Sequence, residues 1–476
     1  SRIATNYLFV DGVLSFDLGS YDNSLEVVID PWVASPSFNS STAVWEVETD
    51  GLGNAYVIGG ETPMELKKYN NAGALQWTYT TPWDTSSVWL GTLATDVSGT
   101  SYITAGVSPE MERIDNGGVM IWHSNNAGGA LGGSDELWSI TFNCDHTKLI
   151  VGGTKGPPFI GFDFYAAIYE IDPANGNLLD SVTFAHVNIS GFGSTPEEVR
   201  SLTSSKNAKY VYLTHDQVGA ISQNIGLCPN GDPIFQVNNT HNLGYKCEDY
   251  LPESQNGGGL KAIAANENYF YTHAGDQIYR WALLDGSLIN SVTLPGGSAT
   301  NGFGGIVVSN SGLDVDSCGN IYAGSMNTVV KFDSALNIIS QSAVAFTVYD
   351  VSVNSNGEIL AVGAQNPNNN ANRNGRIESV NMNACPQFTL ICCDATVCPS
   401  GPYCATDGPV TLISSSAGGI WTGQGITDAA NGVFDPSVAG EGQWTIVYTL
   451  NCGSDSLVIE VATCAPLTVC IESNGD

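Results

Sequence analysis

Six histidines, His123, His146, His186, His215, His241 and His273, are the first place to look for metal chemistry, because a neutral imidazole is the commonest metal-binding side chain. They are scattered. No His-Glu-x-x-His spacing sets two of them on one helical face, and no Cys-x-x-Cys pair offers two thiolates. A serine nucleophile on a strained elbow would need Gly-x-Ser-x-Gly, which does not occur. Carboxylates for glycosidase chemistry number 47 and are spread along the whole chain, so no pair stands out. The acid-rich run "DVDSCGN" (Asp314–Asn320) offers several oxygens to a structural calcium ion, although a solvated turn accounts for it as well. No catalytic residue, catalytic metal or organic cofactor follows from these patterns.

One further phrase suggests chemistry at first reading. "DGLGNAYVIGG" (Asp50–Gly60) has the glycines of a nucleotide loop, but no helix pattern follows it, and it returns as "DVSGTSYITAG", "DHTKLIVGG", "DSCGNIYAGS" and "NSNGEILAVGA". A second phrase also returns, as "YNNAGALQW", "IDNGGVMIW", "IDPANGNLLDS", "LLDGSLINS" and "FDSALNIIS". Both are hairpin turns, in which Gly and Asn accept positive φ and Asp bonds its own backbone. The unit they punctuate is a four-stranded meander: "AVWEVETD", "AYVIGG", "ELKKYN" and "ALQWTYT" in the first copy. Units begin near Ala43, Trp89, Leu137, Val199, Leu260, Gly305 and Val348, which predicts an all-β chain built around a seven-bladed β-propeller. Small residues closing the second strand fit a crowded place beside a neighbouring strand.

Bulk properties agree. Lys and Arg number 15, leaving a formal charge of −32, so no basic surface exists to hold nucleic acid or an anionic membrane. Only 13% of residues are charged, while 10 Trp, 19 Tyr and 16 Phe supply a core, which marks a folded chain. No run approaches the roughly 20 apolar residues of a membrane span. The chain opens on Ser1 rather than on a Met-led, positively charged signal, which predicts that something ahead of it has been removed, by processing or by truncation. Twelve cysteines, eight of them between Cys385 and Cys470, predict an oxidising compartment and a secreted or cell-surface protein.

The phrases "DGLGNAYVIGG" and "KYNNAGALQW" resemble the seven-bladed SBBP-type propeller repeats of secreted Bacteroidota proteins, over roughly Val13 to Cys385. "GIWTGQGI", "GVFDPSVAGEG" and "TIVYTLNC" resemble the Ig-like modules of gliding-motility and surface adhesin proteins of that phylum. These resemblances imply an exported structural or adhesive role. For the Ig-like module they also imply a disulfide between Cys404 and Cys452. "EIDPANGNLLDS" and "ALLDGSLINS" faintly resemble the tryptophan-docking repeats of quinone-dependent dehydrogenases but lack the tryptophan. Asp-Ser at Ser181, Ser334 and Ser456 resembles the phylum's O-glycosylation pattern, and the sequons at Asn39, Asn188 and Asn238 are then expected to be bare.

The expected organisation is an N-terminal hairpin segment (1–42), the propeller (43–384), a cysteine-rich linker (385–403) and an Ig-like β-sandwich with tail (404–476). Cys228 and Cys247 flank an insertion in the fourth unit and are expected to pair. Cys144 and Cys318 stand in turns of distant units, so each is free or bridges to the tail. At the N-terminus "VLSFDL" aligns Leu14, Phe16 and Leu18, and "LEVVID" aligns Leu25, Val27 and Ile29, giving a hairpin that needs another sheet. Two functions follow. The first is an extracellular structural or adhesive protein that self-associates through these terminal strands or joins other surface proteins. The second is a binding module that takes a glycan or peptide on its channel or loops.

Overall fold

The computed structural model describes residues 5–10, 13–18 and 32–464. Within the last span it leaves out 84–91, 125–134, 156–164, 184–196, 217–235, 238–261 and 389–394, together with shorter gaps at 107, 144, 206–209, 275, 284–287, 298–299, 304–305, 310–311, 370, 396, 415–417 and 451–452. The first meander forms as the alternation requires: Val44–Thr49, Ala55–Gly59, Glu65–Tyr69 and Leu75–Thr80 pair antiparallel in that order. The same order recurs in a second sheet (Leu93–Thr95, Ser101–Thr104, Met111–Ile114, Met120–Ser124) and a third (Glu136–Phe142, Leu149–Lys155, Tyr165–Ile171, Leu178–Thr183). A fourth sheet keeps three described strands, Glu197–Ser204, Tyr210–Asp216 and Gln236–Val237. The fifth (Ile263–Ala265, Tyr269–Ala274, Gln277–Ala282, Leu288–Thr293) and sixth (Leu313–Val315, Ile321–Gly324, Thr328–Phe332, Ile338–Ala343) repeat the full pattern. In each sheet the first strand neighbours the first strand of the next, and that of the last sheet, Thr347–Val353, returns to Val44–Thr49. The chain is a β-propeller.

Closure of the ring uses the N-terminal segment. Thr347–Val353, Ile359–Ala364 and Gly375–Val380 make three strands of the last sheet, and Val33–Ala34 adds the fourth, with Val33 opposite Glu378. Trp32 then lies over Gly73 in the second hairpin of the first sheet, where a β-carbon would collide with the indole, and it stacks on Tyr69 with centroids 6.3 Å apart. The same contact joins other neighbours. Trp77 donates its indole N–H to the Asn116 carbonyl at 2.9 Å, and Trp122 donates to Pro173 at 3.1 Å. Asn290 reaches Ala335 in the same way at 3.1 Å. A docking tryptophan is therefore present in "AGALQW" and "GGVMIW", four residues after the turn glycine, although the two phrases first compared with that repeat lack it.

Both turn phrases work through one device. In the first hairpin the side-chain oxygen of Asp50, Asp96, Asp316 or Asn354 accepts the N–H groups two and four residues on. Gly53, Gly99, Gly319 and Gly357 supply the positive φ. In the third sheet the turn starts at Asn143 rather than Asp145, and His146 takes the left-handed position at φ 57°. The small residues that end the second strands have a double cause. In the first, third and last sheets the first strand bulges, so a β-carbon on Gly59, Gly153 or Gly363 would meet the carbonyl of Ala43, Glu136 or Thr347. At Gly152 and Gly324 it would meet Val199 or Val348 of the following sheet.

Three expectations change. The hairpin at the start is Thr5–Val10 with Val13–Leu18, so Leu14, Phe16 and Leu18 lie opposite Phe9, Tyr7 and Thr5. The described partner of "VLSFDL" is thus the preceding segment, and Leu25, Val27 and Ile29 lie outside the described residues. Residues near Gly305 form a separate hairpin, Thr300–Phe303 with Ile306–Ser309, and the sixth sheet begins at Leu313. Finally, Cys404 bonds Cys464, with Cα atoms 5.3 Å apart, and not Cys452. Tyr403–Cys404 runs parallel to the end of Gly453–Ala462, with Cys404 opposite Ala462, which brings Cys464 within reach. Cys452, Cys144, Cys228 and Cys247 lie outside the described residues.

After the propeller, Cys318 bridges to Cys385 at the head of the tail, with Cα atoms 5.9 Å apart. Beyond it, Tyr403–Cys404, Gly453–Ala462, Gly442–Leu450 and Ile420–Thr422 form one sheet, and Val410–Thr411, Val433–Phe434 and Ile426–Asp428 another. Both contribute to a core of Trp421, Phe434, Ile446, Tyr448 and Ile459. Asp435 caps a short helix, Pro436–Ala439.

Replacing Trp32 removes the ring that spans the closure, and Trp32→Ala is expected to cost about 2–3 kcal/mol by urea unfolding. A change below about 0.5 kcal/mol would show that the two ends of the ring are not fastened there.

Candidate binding channel

The inner strand of a propeller sheet has a ladder partner on one side only, so its other edge presents unpaired N–H and C=O groups. Side chains of the neighbouring inner strand answer several of them. Asp314 accepts the Val353 N–H at 2.7 Å, and Asp350 accepts the Val47 N–H at 2.9 Å. Glu46 accepts the Leu93 N–H at 2.9 Å and the Thr92 hydroxyl at 3.0 Å. The Ser201 hydroxyl accepts the Ala262 N–H at 3.3 Å, and Ser139 donates to the Val199 carbonyl at 3.4 Å. Each bond crosses from one sheet to the next, and Glu46 and Asp350 are buried.

Inside this ring lies a cavity of about 290 Å³, bounded by the first strands of all seven described sheets from Glu48 round to Ser352. Its wall mixes hydroxyls (Thr95, Thr141, Thr203) with apolar groups (Leu202, Ile263). Gly51, Val97 and His146 come from the first-hairpin turns, and Gln387 and Phe388 arrive from beyond the propeller. His146 stacks on Phe142 with centroids 4.7 Å apart. Phe388 is held nearby because the Cys318–Cys385 bridge and a backbone bond from Gln387 to Asn354 fix the start of the tail.

The turn acids are engaged as well. Asp50 accepts from Leu52, Asn54 and the Tyr56 hydroxyl, and Asp316 accepts from Cys318, Asn320, Tyr322 and the Cys385 N–H. Burial, with the adjoining carboxylate, pushes both the Tyr56 and Tyr322 phenols up. The run that suggested calcium is thus a turn whose carboxylates already hold donors. Among the described residues the one grouping with metal-ligand spacing is Asp316 with Cys318 and Cys385, and those cysteines are joined to each other. His123, His146, His215 and His273 lie in the second, third, fourth and fifth sheets, so the ring distributes the described histidines over four different sheets.

One titratable cluster lies at the joint between the first two sheets. Glu112 accepts the Tyr79 hydroxyl at 3.0 Å and lies 3.0 Å from His123 Nδ1, while Glu110 is 3.7 Å from His123 Nε2. Burial raises the Glu112 carboxyl above its ordinary value and outweighs the bonds from His123 and Tyr79 that pull it down. No spacing along the chain announces this cluster, because its members come from three different strands and the Glu110 turn.

No family model matches the sequence, and no curated protein matches it, so the resemblance to the propeller repeats rests on the quoted phrases alone. Among solved structures the chain is similar to the WD40 domain of Neurospora crassa Pan2 (11% identity, 73% of this chain and 91% of that one, TM-score 0.48). It is also similar to virginiamycin B lyase from Staphylococcus aureus (11% identity, 73% and 97%, TM-score 0.46) and to BamB from Moraxella catarrhalis (10% identity, 71% and 84%, TM-score 0.40). No residue role is carried over from them.

Two outcomes follow from the geometry. Asp350→Ala removes the carboxylate that accepts from the Val47 and Val351 N–H groups and is expected to cost about 2–3 kcal/mol by urea unfolding, whereas an apolar surface change far from the ring costs little. The raised Glu112 carboxyl means that the folded protein binds this proton more tightly than the unfolded chain. Its contribution is therefore fullest below the ordinary carboxylate value and is lost as pH rises through the raised one. Urea midpoints measured between about pH 4 and pH 6.5 should move in favour of Glu112→Gln relative to the native protein as pH rises; parallel curves would refute this.

Proposed function

We propose that the protein is an extracellular structural and adhesive scaffold, a seven-bladed propeller carrying an Ig-like module, and that it is not an enzyme. The observation that supports this reading is the employment of its acids. Glu46, Asp314 and Asp350 bind sheet to sheet, and Asp50, Asp96 and Asp316 close hairpins. Side chains that hydrolytic chemistry would require thus serve rigidity. The bridges Cys318–Cys385 and Cys404–Cys464 are compatible with secretion, and among the described residues no helix is long and apolar enough to cross a membrane. In this reading the scaffold associates with further copies of itself or with other surface proteins through its terminal strands.

A second reading, a glycan or peptide bound at the channel, is favoured by the 290 Å³ cavity with its mixed hydroxyl and apolar wall. Negative-stain microscopy of the full chain at rising concentration, beside a glycan array and a peptide panel, separates the two. Regular assemblies with no array signal support the first. Monodisperse particles with a saturable ligand that is lost in Thr141→Trp, which fills the channel, would replace it with the second.

A further inference from the structure

Two kinds of β-ladder stay open in this chain. One is the hairpin of Thr5–Val10 and Val13–Leu18, whose strands pair with each other and, among the described residues, with no third strand. A lone two-stranded hairpin is marginally stable in water. The other is the outer edge of the propeller sheets, where, among the described residues, the fourth strands of the fifth and sixth sheets have a partner on one side only. Natural proteins protect such edges with lysines, prolines or inward charges. Leu288–Thr293 and Ile338–Ala343, the outer strands of the fifth and sixth sheets, contain none of these: they read "LINSVT" and "IISQSA". Each opens with two adjacent exposed aliphatics, Leu288 and Ile289 at 49% and 47% exposure and Ile338 and Ile339 at 43% and 51%. The bulges in these pairs lie at the turn end, between Arg280 and Trp281 and between Lys331 and Phe332.

Charge and length indicate what covers these edges. A formal charge of −32 makes most approaches between two copies repulsive within a Debye length of about 8–10 Å. The two edge strands carry no charge, and the hairpin strands "TNYLFV" and "VLSFDL" carry one, at Asp17. All four strands have six residues, so a full ladder can form. We propose that the hairpin of one copy adds as a further strand to the outer edge of the fifth or sixth sheet of a second copy. Each copy carries both halves of this contact, which is heterologous and therefore propagates head to tail. The inference rests on the self-associating scaffold reading above and specifies its interface.

The test uses the full chain, the double variant Ile289→Lys with Ile339→Lys, and a fluorescent peptide covering Ser1–Ser20. Both lysines fall at exposed sites, and circular dichroism with the monomer's gel-filtration volume checks that the variant folds. Sedimentation velocity across concentration should show native assembly, and the double variant should need at least about tenfold more protein to reach half assembly. Excess peptide should block native assembly, and it should bind the double variant at least about tenfold more weakly than the native chain. Assembly that ignores both the lysines and the peptide overturns the edge contact while leaving self-association standing. A native chain that stays monomeric at every concentration and binds no peptide overturns both.

Discussion

The propeller depends on what happens at the inner edge of each sheet. Seven first strands are brought side by side around an axis, and none can pair with its neighbour as a ladder, because they belong to different sheets. Their inward N–H groups must still find acceptors, since a buried donor left unpaired costs about 1–3 kcal/mol. Carboxylates from the preceding sheet supply them at Val47, Leu93 and Val353. A carboxylate suits this task because it accepts several bonds at once, and a charged acceptor makes a stronger bond than an amide. Glu46 takes both a backbone N–H and a hydroxyl in this way. The bond also sets the spacing and angle between adjacent sheets, so the repeat closes with a narrow channel rather than an open spiral.

The rim is fastened by different chemistry. There an indole lies flat on the turn of the next sheet and donates to a backbone carbonyl, as Trp77 and Trp122 do. The turn can accept the ring only if its left-handed residue has no side chain, which is why Gly118 and Gly176 face these indoles. Trp32 extends the pattern across the seam, so the one joint without chain continuity is fixed by a shared strand, Val33–Ala34, and by the same ring-on-glycine contact. Inner polar bonds and outer aromatic contacts act at different radii, and together they hold each sheet against rotation about either one.

Much of this was legible in the sequence because it is local. The Asx turns announce themselves in "DGLGN" and "DVSGT", where one side chain bonds two N–H groups within four residues, and two such turns at fixed offsets define the four-stranded unit. Contacts across the ring were not legible. Val33–Ala34 is too short to read as a strand, and its partner lies more than 340 residues away. The cysteine framework was legible only in part. Cys318 reached the tail, as one of its two open alternatives had it, but the partner of Cys404 depends on a parallel pairing that no spacing announces. The channel was invisible for a related reason: its wall takes a few residues from every sheet, none unusual within its own strand.

The distribution of charge connects these levels. Forty-seven acids on a chain with 15 Lys and Arg would ordinarily oppose compaction by mutual repulsion. Here a part of that load is tolerated because the carboxylates are paired with backbone dipoles and hydroxyls, as at Asp50, Asp316 and Asp350, where each N–H offers positive charge at short range. Acids so engaged are stabilising: burial pulls the Asp333 carboxyl upward, but the bonds from Asn337 and Ala335 with the nearby Arg280 charge together outweigh it and hold the group below its ordinary value. The net charge of −32 still makes most approaches between copies repulsive. Such a molecule keeps neighbours away nearly everywhere, which leaves its few uncharged strand edges as the places where contact with a like copy costs least.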